Sequence, residues 1–277
     1  MPAEQGLHLL PKPGWLAGGA DKRYYEGVQA FLKADYPAAL LAFTACLATD
    51  PKAVSAHLFV ALCLGKVDAP DSEQIAHLEA VVGSSDPVPD RLQQKYLPDS
   101  FVNLHLAVKI TDVISGQAPF NSIGASLMLA ELYQAAGRLE DAVGLVQQLH
   151  EADPTNEVIR LSLADLYFAD LDHEGVVDAA STATNDSDLG VALLHMRAAA
   201  LTDLGHLDGA IRTFGEALSR TANRDADLLK VVRYDRSLAL EKGGQKAKAR
   251  ADLERIYATD PGYLDVRDRL GSASLRS

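Results

Sequence analysis

A few residue groups in this chain have types that could support chemistry, but their spacing argues against each of them. Gly243-Gly244-Gln245-Lys246 has the glycines and the lysine of a phosphate-binding loop, yet the full G-x-x-x-x-G-K-[ST] pattern is missing. His150-Glu151 and His173-Glu174 each place a base beside a carboxylate, but consecutive residues of a helix point about 100° apart and do not share a site. We therefore predict no catalytic residues and no cofactor.

The side chains that commonly bind metals are also dispersed. The eight histidines are scattered along the chain. Cys46 and Cys63 lie in largely apolar runs and fit neither a C-x-x-C motif nor a zinc-site spacing. We interpret both cysteines as small core residues of a reduced protein and predict no metal site.

Charge and hydropathy exclude several classes of protein. The chain has 26 Lys and Arg residues against 38 Asp and Glu residues, a net charge of −12, which would repel a nucleic-acid backbone. The longest apolar run, residues 58–64, is far shorter than the roughly 20 residues of a membrane span. Residues 1–20 lack the basic start and apolar stretch of a secretion signal. We expect a cytoplasmic protein with no membrane span and no nucleic-acid partner.

The elements that must position any site are helices. The chain contains 43 alanines and 41 leucines, which have strong helix preferences. A small residue followed four positions on by an apolar one, and twelve positions on by the proline of Asp-Pro, occurs three times, at Ala39, Ala142 and Ala249. In three places a turn glycine lies five positions before an alanine: Gly137 before Ala142, Gly205 before Ala210, and Gly244 before Ala249.

This pattern resembles the tetratricopeptide repeat, a unit of 34 residues made of two antiparallel helices. Ala142 and Ala210 are 68 residues apart, which is twice 34. The resemblance covers residues 20–65 and 121–265, and residues 233–266 look like the closing repeat of many bacterial proteins of this family. It implies an all-α tetratricopeptide-type solenoid of five to six units in a bacterial protein. On physical grounds, the small residue lets the two helices approach closely and the proline ends the second helix.

The helical pattern predicts thirteen helices and a capping segment. They are expected at 22–34, 37–49, 53–64, 72–82, 91–96, 123–135, 139–151, 157–168, 174–183, 191–203, 207–220, 229–242 and 246–258, with 263–270 covering the last apolar face.

One segment departs from helical periodicity. Apolar and other residues alternate over residues 102–110, which predicts a strand within a short β insert near 101–111. Its partner is either a segment near 118–123, after a turn at Gly116, or another chain. We therefore predict four parts: a mobile N-terminal arm (1–20), an N-terminal repeat block (21–97), the β-containing insert (98–122), and a C-terminal repeat block with a capping helix (123–277).

In a solenoid of this type, the first helices of successive units line a concave groove, and the resemblance implies that this groove binds a peptide or protein. Columns taken at the repeat period predict these groove residues: Tyr24, Val28, Phe31, Leu127, Glu131, Gln134, Leu161, Asp165, Phe168, His195, Thr202, Tyr234 and Glu241. The best-known grooves of the family hold a C-terminal carboxylate with basic residues and asparagine, whereas this chain has Glu131 and Asp165. We expect a partner with apolar anchors and a basic residue.

The sequence favours a noncatalytic adaptor but leaves two alternatives. In the first, the predicted strand or the basic segment 220–255, with ten basic and six acidic residues, joins chains into a homodimer or a larger assembly. Such a segment is also an ordinary solvated cap of the last repeat. In the second alternative, the protein is an enzyme or a small-molecule sensor with a pocket near His105 and Tyr133.

Overall fold

A computed structural model describes residues 10–86, 88–97, 104–111 and 113–274 of the chain. Within these ranges the helices are α1 (Gly19–Leu32), α2 (Tyr36–Leu47), α3 (Val54–Leu64), α4 (Asp71–Val82), α5 (Arg91–Tyr96), α6 (Ser122–Ala135), α7 (Leu139–Ala152), α8 (Glu157–Ala169), α9 (His173–Ala179), α10 (Asp188–Asp203), α11 (Leu207–Ala217), α12 (Ala226–Lys242), α13 (Lys246–Thr259) and α14 (Val266–Ser274). The strands are β1 (His105–Lys109) and β2 (Ser115–Pro119). The predicted class, helical repeats with a short β insert, is confirmed.

Most of the predicted helices begin and end within three residues of their observed bounds. The predicted helix 174–183 is too long, because α9 ends at Ala179. After α9 the chain passes over the start of α10, where Gly190 leaves room for the carbonyl oxygen of Thr184. The Asn185 side-chain amide then donates to the carbonyl oxygen of Ala217 at 2.7 Å. These contacts hold the segment after α9 on a path that a helix could not follow.

In five of the described helical hairpins, the chain turns through one residue with a positive φ angle, placed five positions before a buried residue of the second helix. These residues are Ala34, Gly137, Leu171, Gly205 and Gly244. The N–H of the following residue donates to a carbonyl five positions back, as from His206 to Leu201 at 2.8 Å, which satisfies the end of the first helix. The role predicted for the three glycines is confirmed. The non-glycine residues Ala34 and Leu171 take the same conformation, as does Asp68 between α3 and α4.

Small residues sit where paired helices meet, as predicted. Their exposure is at most 1% at Ala39, Ala142, Ala210 and Ala249. One turn further on, Phe43 and Phe214 are also buried. Phe43 stacks on Phe59 with 4.6 Å between ring centroids and faces Gly27 of α1, where an added Cβ would lie 2.8 Å from the ring. Glycine at this position therefore sets how closely α1 approaches α2.

The β insert is a hairpin within the chain. Its connection is closed by the N–H groups of Ile110 and Thr111, which both donate to the carbonyl oxygen of Ile114 at 3.1 Å. The predicted strand is observed over residues 105–109, and residues 102 and 103 lie outside the described part of the chain. Of the two partners that the sequence left open, the structure shows the intrachain one, at 115–119 rather than 118–123.

The turn predicted at Gly116 is wrong, because Gly116 lies inside β2. A Cβ atom at this position would lie 2.8 Å from Cγ1 of Val158, at the start of α8. Glycine is therefore needed for close packing against α8 rather than for a chain reversal.

The contacts divide the chain into two compact units. Unit 1 comprises Met1–Val108 and Gln117–Leu145, and unit 2 comprises Lys109–Gly116 and Val146–Ser277. In unit 1, α1 packs on α2 and α5, α3 packs on α2 and α4, and α4 packs on α6. In unit 2, α10 packs on α8, α9 and α11, α12 packs on α10, α11 and α13, and α13 packs on α14. Of the helices in the described ranges, none is long and apolar enough to cross a membrane.

Candidate functional site

A cavity of about 360 Å³ lies in unit 2, among α8, α10, α12 and the connection between the two strands. We call it the unit 2 cavity. Much of its wall is apolar, formed by Val113, Phe168, Met196, Leu228 and Val231. Its volume lies in the range of sites that hold small ligands or single large side chains.

The wall residues come from helix positions three or four apart, which lie on one helix face. The three helices begin at fixed points because a side chain caps each N-terminus. Asn156 accepts a hydrogen bond from the N–H of Val158 at 3.1 Å, Ser187 from that of Gly190 at 2.8 Å, and Asp225 from that of Leu228 at 2.8 Å. The caps fix where α8, α10 and α12 begin, and hence which residues face the cavity.

The polar part of the wall is acidic. His195 Nε2 lies 2.6 Å from Asp235 Oδ2, so this hydrogen bond joins α10 to α12 across the cavity. Asp165 of α8 is the second carboxylate of the wall and is half-buried. Among the described wall residues there is no lysine or arginine. The cavity therefore combines an apolar surface with two carboxylates, one of which is hydrogen-bonded to His195.

Three of the predicted groove residues, Asp165, Phe168 and His195, line this cavity together. Four others are at most 2% exposed: Tyr24, Val28, Leu127 and Leu161. A partner cannot contact these four in the observed conformation, so their assignment to a binding surface is corrected. They belong to first helices of the repeats, as predicted, but they face the interior of their own unit.

The remaining predicted residues of unit 2 are not among the residues that line the cavity. The Tyr234 hydroxyl donates to Asp265 Oδ1 at 2.7 Å, and Glu241 Oε2 accepts from Arg269 Nη1 of α14 at 2.7 Å. Thr202 Oγ1 donates to the carbonyl oxygen of Ala198 in its own helix at 2.8 Å. Tyr234 and Glu241 therefore connect α12 to the C-terminal segment, and the assignment of these three partly exposed residues to a groove stays a prediction.

In unit 1, Phe31 lines a separate cavity of about 340 Å³ together with Tyr36, Leu62 and Met128. Glu131 and Gln134 are half-buried on α6. His105, named in the enzyme alternative, also lines this cavity. Tyr133, its predicted companion, instead donates to Glu79 Oε1 at 2.7 Å.

The sequence prediction missed the α12 wall and the hairpin connection. The prediction added five residues to the 34-residue period and so selected Tyr234, 39 positions after His195, whereas Asp235 lies 40 positions after it. Moving the column by one residue would have found Asp235 and, on the same helix face, Val231 and Leu228. Thr111 and Val113 carried no signal, because they reach the cavity only through the path of the hairpin.

Unit 1 contains two clusters of titratable side chains. The Asp21 carboxylate accepts hydrogen bonds from Lys95 Nζ at 2.6 Å and the Tyr96 hydroxyl at 2.8 Å, and also from Arg91. Burial alone would raise the pKa of Asp21, but these hydrogen bonds outweigh it and lower the pKa to about 2. His57 and His77 lie with their Nδ1 atoms 2.8 Å apart, and burial lowers the pKa of both imidazoles.

In the part of the chain that the structure describes, no group of three or more His, Cys, Asp or Glu side chains could hold a metal ion.

Comparison with known proteins identifies one family. The sequence profile described as "T7SS, ESX-1 secretion system protein EccA1, N-terminal domain" matches residues 24–276. Among curated protein sequences, none matches the chain.

Solved structures share the fold at low sequence identity. The N-terminal domain of the EccA1 ATPase from the ESX-1 secretion system of Mycobacterium tuberculosis is 19% identical, with a TM-score of 0.63 over 91% of this chain and 88% of that chain. The Cut9–Hcn1 hetero-tetramer of the APC/C is 14% identical, with a TM-score of 0.53 over 92% of this chain and 42% of that chain. The MamA protein is 15% identical, with a TM-score of 0.51 over 73% of this chain and 92% of that chain.

Proposed function

We propose that this chain, which belongs to the family of EccA1 N-terminal domains of the ESX-1 secretion system, is a noncatalytic helical-repeat module that binds a protein or peptide partner. The observation that carries the proposal is the unit 2 cavity, an apolar recess with two carboxylates in its wall. The family description makes a protein of a type VII secretion system the proposed partner class. The proposed location is the bacterial cytoplasm, which agrees with two cysteines that are free and buried.

Binding would begin with an apolar side chain of the partner entering the cavity. Contact with Phe168 and Met196 removes apolar surface from water, and a fully buried large side chain contributes about 2–3 kcal/mol. Asp165 and Asp235 would attract a basic residue next to this anchor and so set the orientation of the bound segment. The proposed ligand is thus an extended or helical segment with an apolar anchor and a neighbouring lysine or arginine.

A displayed library of random peptides, selected on the full chain, tests this function. We expect the selected peptides to share an apolar residue next to a basic one. Phe168→Ala should weaken their binding about tenfold or more, because it removes the aromatic wall of the cavity. Phe168→Ala combined with Asp165→Lys should abolish binding while the helical circular-dichroism spectrum is unchanged. Titration calorimetry with the selected peptides gives the Kd values.

The matched control is Tyr167→Ala, which removes a neighbouring aromatic side chain of the same helix. The Tyr167 hydroxyl accepts a hydrogen bond from Gln147 at 2.8 Å, and this side chain is not part of the cavity wall. Peptide affinity should be unchanged in this variant. If Phe168→Ala and Tyr167→Ala weaken binding equally, or if both leave it unchanged, the cavity is not the binding site.

A further inference from the structure

A turn before α1 presents two large apolar side chains to solvent. Trp15, the only tryptophan of the chain, is 87% exposed, and Leu16 is 77% exposed. Tryptophan is strongly enriched among the residues that dominate protein–protein binding energies. We call residues 14–17 the tryptophan turn.

A backbone hydrogen bond closes the tryptophan turn. The Ala17 N–H donates to the carbonyl oxygen of Gly14 at 3.0 Å, which places Trp15 and Leu16 at the apex. Before the turn, the side chain of Leu10 is buried, and Pro11 and Pro13 restrict the chain between Leu10 and the turn. After it, the Lys22 N–H donates to the carbonyl oxygen of Gly18, starting α1.

Exposed lysines occur on either side of the turn in the sequence, and two carboxylates occur in the wall of the unit 2 cavity. Lys12 and Lys22 flank the turn in the sequence, and both side chains are exposed. The cavity wall carries Asp165 and Asp235 beside its apolar residues. The turn thus has the two features proposed above for a ligand of the cavity: an apolar anchor and neighbouring basic residues. The cavity volume of about 360 Å³ is sufficient for an indole ring, which would pack against Phe168 and Met196.

We propose that the tryptophan turn of one copy of this chain docks in the unit 2 cavity of a second copy. This inference rests on the proposed function, because it assigns an occupant to the same cavity. The contact is heterologous: each copy offers one turn and one cavity, so association continues until a ring closes or a filament forms. A docked copy covers the cavity, and a partner must displace it. Self-association therefore regulates partner binding.

Two kinds of variant separate the two sides of this contact. Trp15→Ser with Leu16→Ser removes the turn's anchor and keeps the cavity. Ala199→Arg fills the cavity and adds a charge that repels Lys12 and Lys22, while the turn is unchanged. Val113→Arg is a second cavity variant that leaves α10 intact. Leu41→Ser is the control, because Leu41 of α2 is 74% exposed and belongs neither to the tryptophan turn nor to the cavity wall.

Sedimentation over a wide concentration range gives the first result. We expect the apparent mass of the wild type and of Leu41→Ser to rise with concentration. The anchor variant and each cavity variant alone should need at least about tenfold higher concentration for half-association. If the wild type stays monomeric at all concentrations, or if the anchor and cavity variants associate as the wild type does, the proposal is overturned.

Mixing gives the second result. The anchor variant offers only a cavity and the cavity variant offers only a turn, so the mixture should form a one-to-one dimer that grows no further. In this mixture Trp15 of the cavity variant is the only tryptophan, and its emission should shift to shorter wavelength as the anchor variant is added. Recovery of association in the mixture supports the proposal. No recovery, with both single variants defective, indicates a symmetric interface and contradicts it.

Binding of the peptides selected in the library experiment shows which of the two proposals fails, the proposed function or the self-docking. If the anchor variant binds those peptides with wild-type affinity or better and the wild type does not associate, only the self-docking proposal fails. If association depends on Trp15 and Ala199 but no peptide is selected, self-docking stands and the role in partner binding fails.

Discussion

At the scale of single residues, Asp21 shows how one carboxylate can join distant parts of the sequence. It lies on α1, and its hydrogen-bond donors, Arg91, Lys95 and Tyr96, all lie on α5. Its side chain is 11% exposed, so these charge-assisted hydrogen bonds form where water competes weakly. The lowered pKa of Asp21 therefore reports a contribution of this cluster to stability.

We predict that Asp21→Asn lowers the free energy of unfolding by about 2 kcal/mol at neutral pH. The folded-state pKa of about 2 lies below the unfolded value, so ionised Asp21 stabilises the fold above about pH 5. This stabilisation is lost as the pH falls from about 4 to about 2. Urea unfolding at several pH values should show the difference in free energy of unfolding between wild type and variant narrowing on acidification.

The control is Asp141→Asn, at an exposed ion pair with Arg138, which should change the free energy of unfolding by less than about 0.5 kcal/mol. A difference for Asp21→Asn that is independent of pH would contradict the assignment.

At the scale of elements, the turn between the helices of a hairpin depends on backbone conformation more than on residue type. Leu171 occupies the turn between α8 and α9 with φ of 60°, the position that glycine occupies in three other hairpins. Its side chain is 74% exposed. Leucine in this conformation costs about 1–2 kcal/mol relative to an ordinary backbone conformation, and the exposed side chain offsets little of that.

We therefore predict that Leu171→Gly raises the free energy of unfolding by about 0.5–1 kcal/mol, since glycine adopts positive φ without steric strain. The matched change is Gly205→Ala, at a φ of 81° where an added Cβ would meet no atom within 4 Å. It should lower stability by about 1 kcal/mol through backbone strain alone. Chemical denaturation of the two variants measures both effects. If both variants change the free energy of unfolding in the same direction, side-chain packing rather than φ dominates at these turns.

At the scale of the whole molecule, helical repeats gain stability from contacts with adjacent repeats. At the C-terminal end, Val266 of α14 is fully buried against Leu253 and Ile256, with Tyr234, Tyr263 and Leu270 packed around them. The basic segment 220–255 is largely neutralised within unit 2, because seven of its ten basic residues form ion pairs: Arg220, Arg224, Lys230, Arg236, Lys242, Arg250 and Arg255. These pairs favour the interpretation of this segment as the solvated end of the repeats over a charged assembly surface.

We predict that Val266→Asp loosens the C-terminal end without unfolding the N-terminal helices. An unpaired carboxylate in this cluster should cost several kcal/mol locally. Hydrogen exchange should therefore quicken in α13 and α14 and be unchanged in α1 to α4. Leu264→Asp, two residues earlier at a side chain that is 66% exposed, should alter neither region. A uniform loss of protection along the chain in Val266→Asp would contradict the expectation of neighbour-limited stability.

Sequence by itself determined the features that are local or periodic. The alanine and glycine spacing located the helical hairpins, the buried contact points and the left-handed turns, because each depends on residues within one or two helices. The same periodicity found Asp165, Phe168 and His195, since these helices have regular spacing. It could not separate a side chain that lines the groove from one that packs inside the unit, as with Leu161, because both recur at the same period.

Only the tertiary structure decided the features that depend on irregular spacing or on contacts between distant segments. The longer interval between α10 and α12 placed Asp235, not Tyr234, beside His195. The pairing of β1 with β2 brought Val113 to the unit 2 cavity, and Gly116 proved necessary for packing on Val158. A one-residue difference in spacing rotates a helical side chain by about 100°, so a small error in register moves it out of the site. Pairing between segments distant in sequence depends on packing and has no comparable local signal.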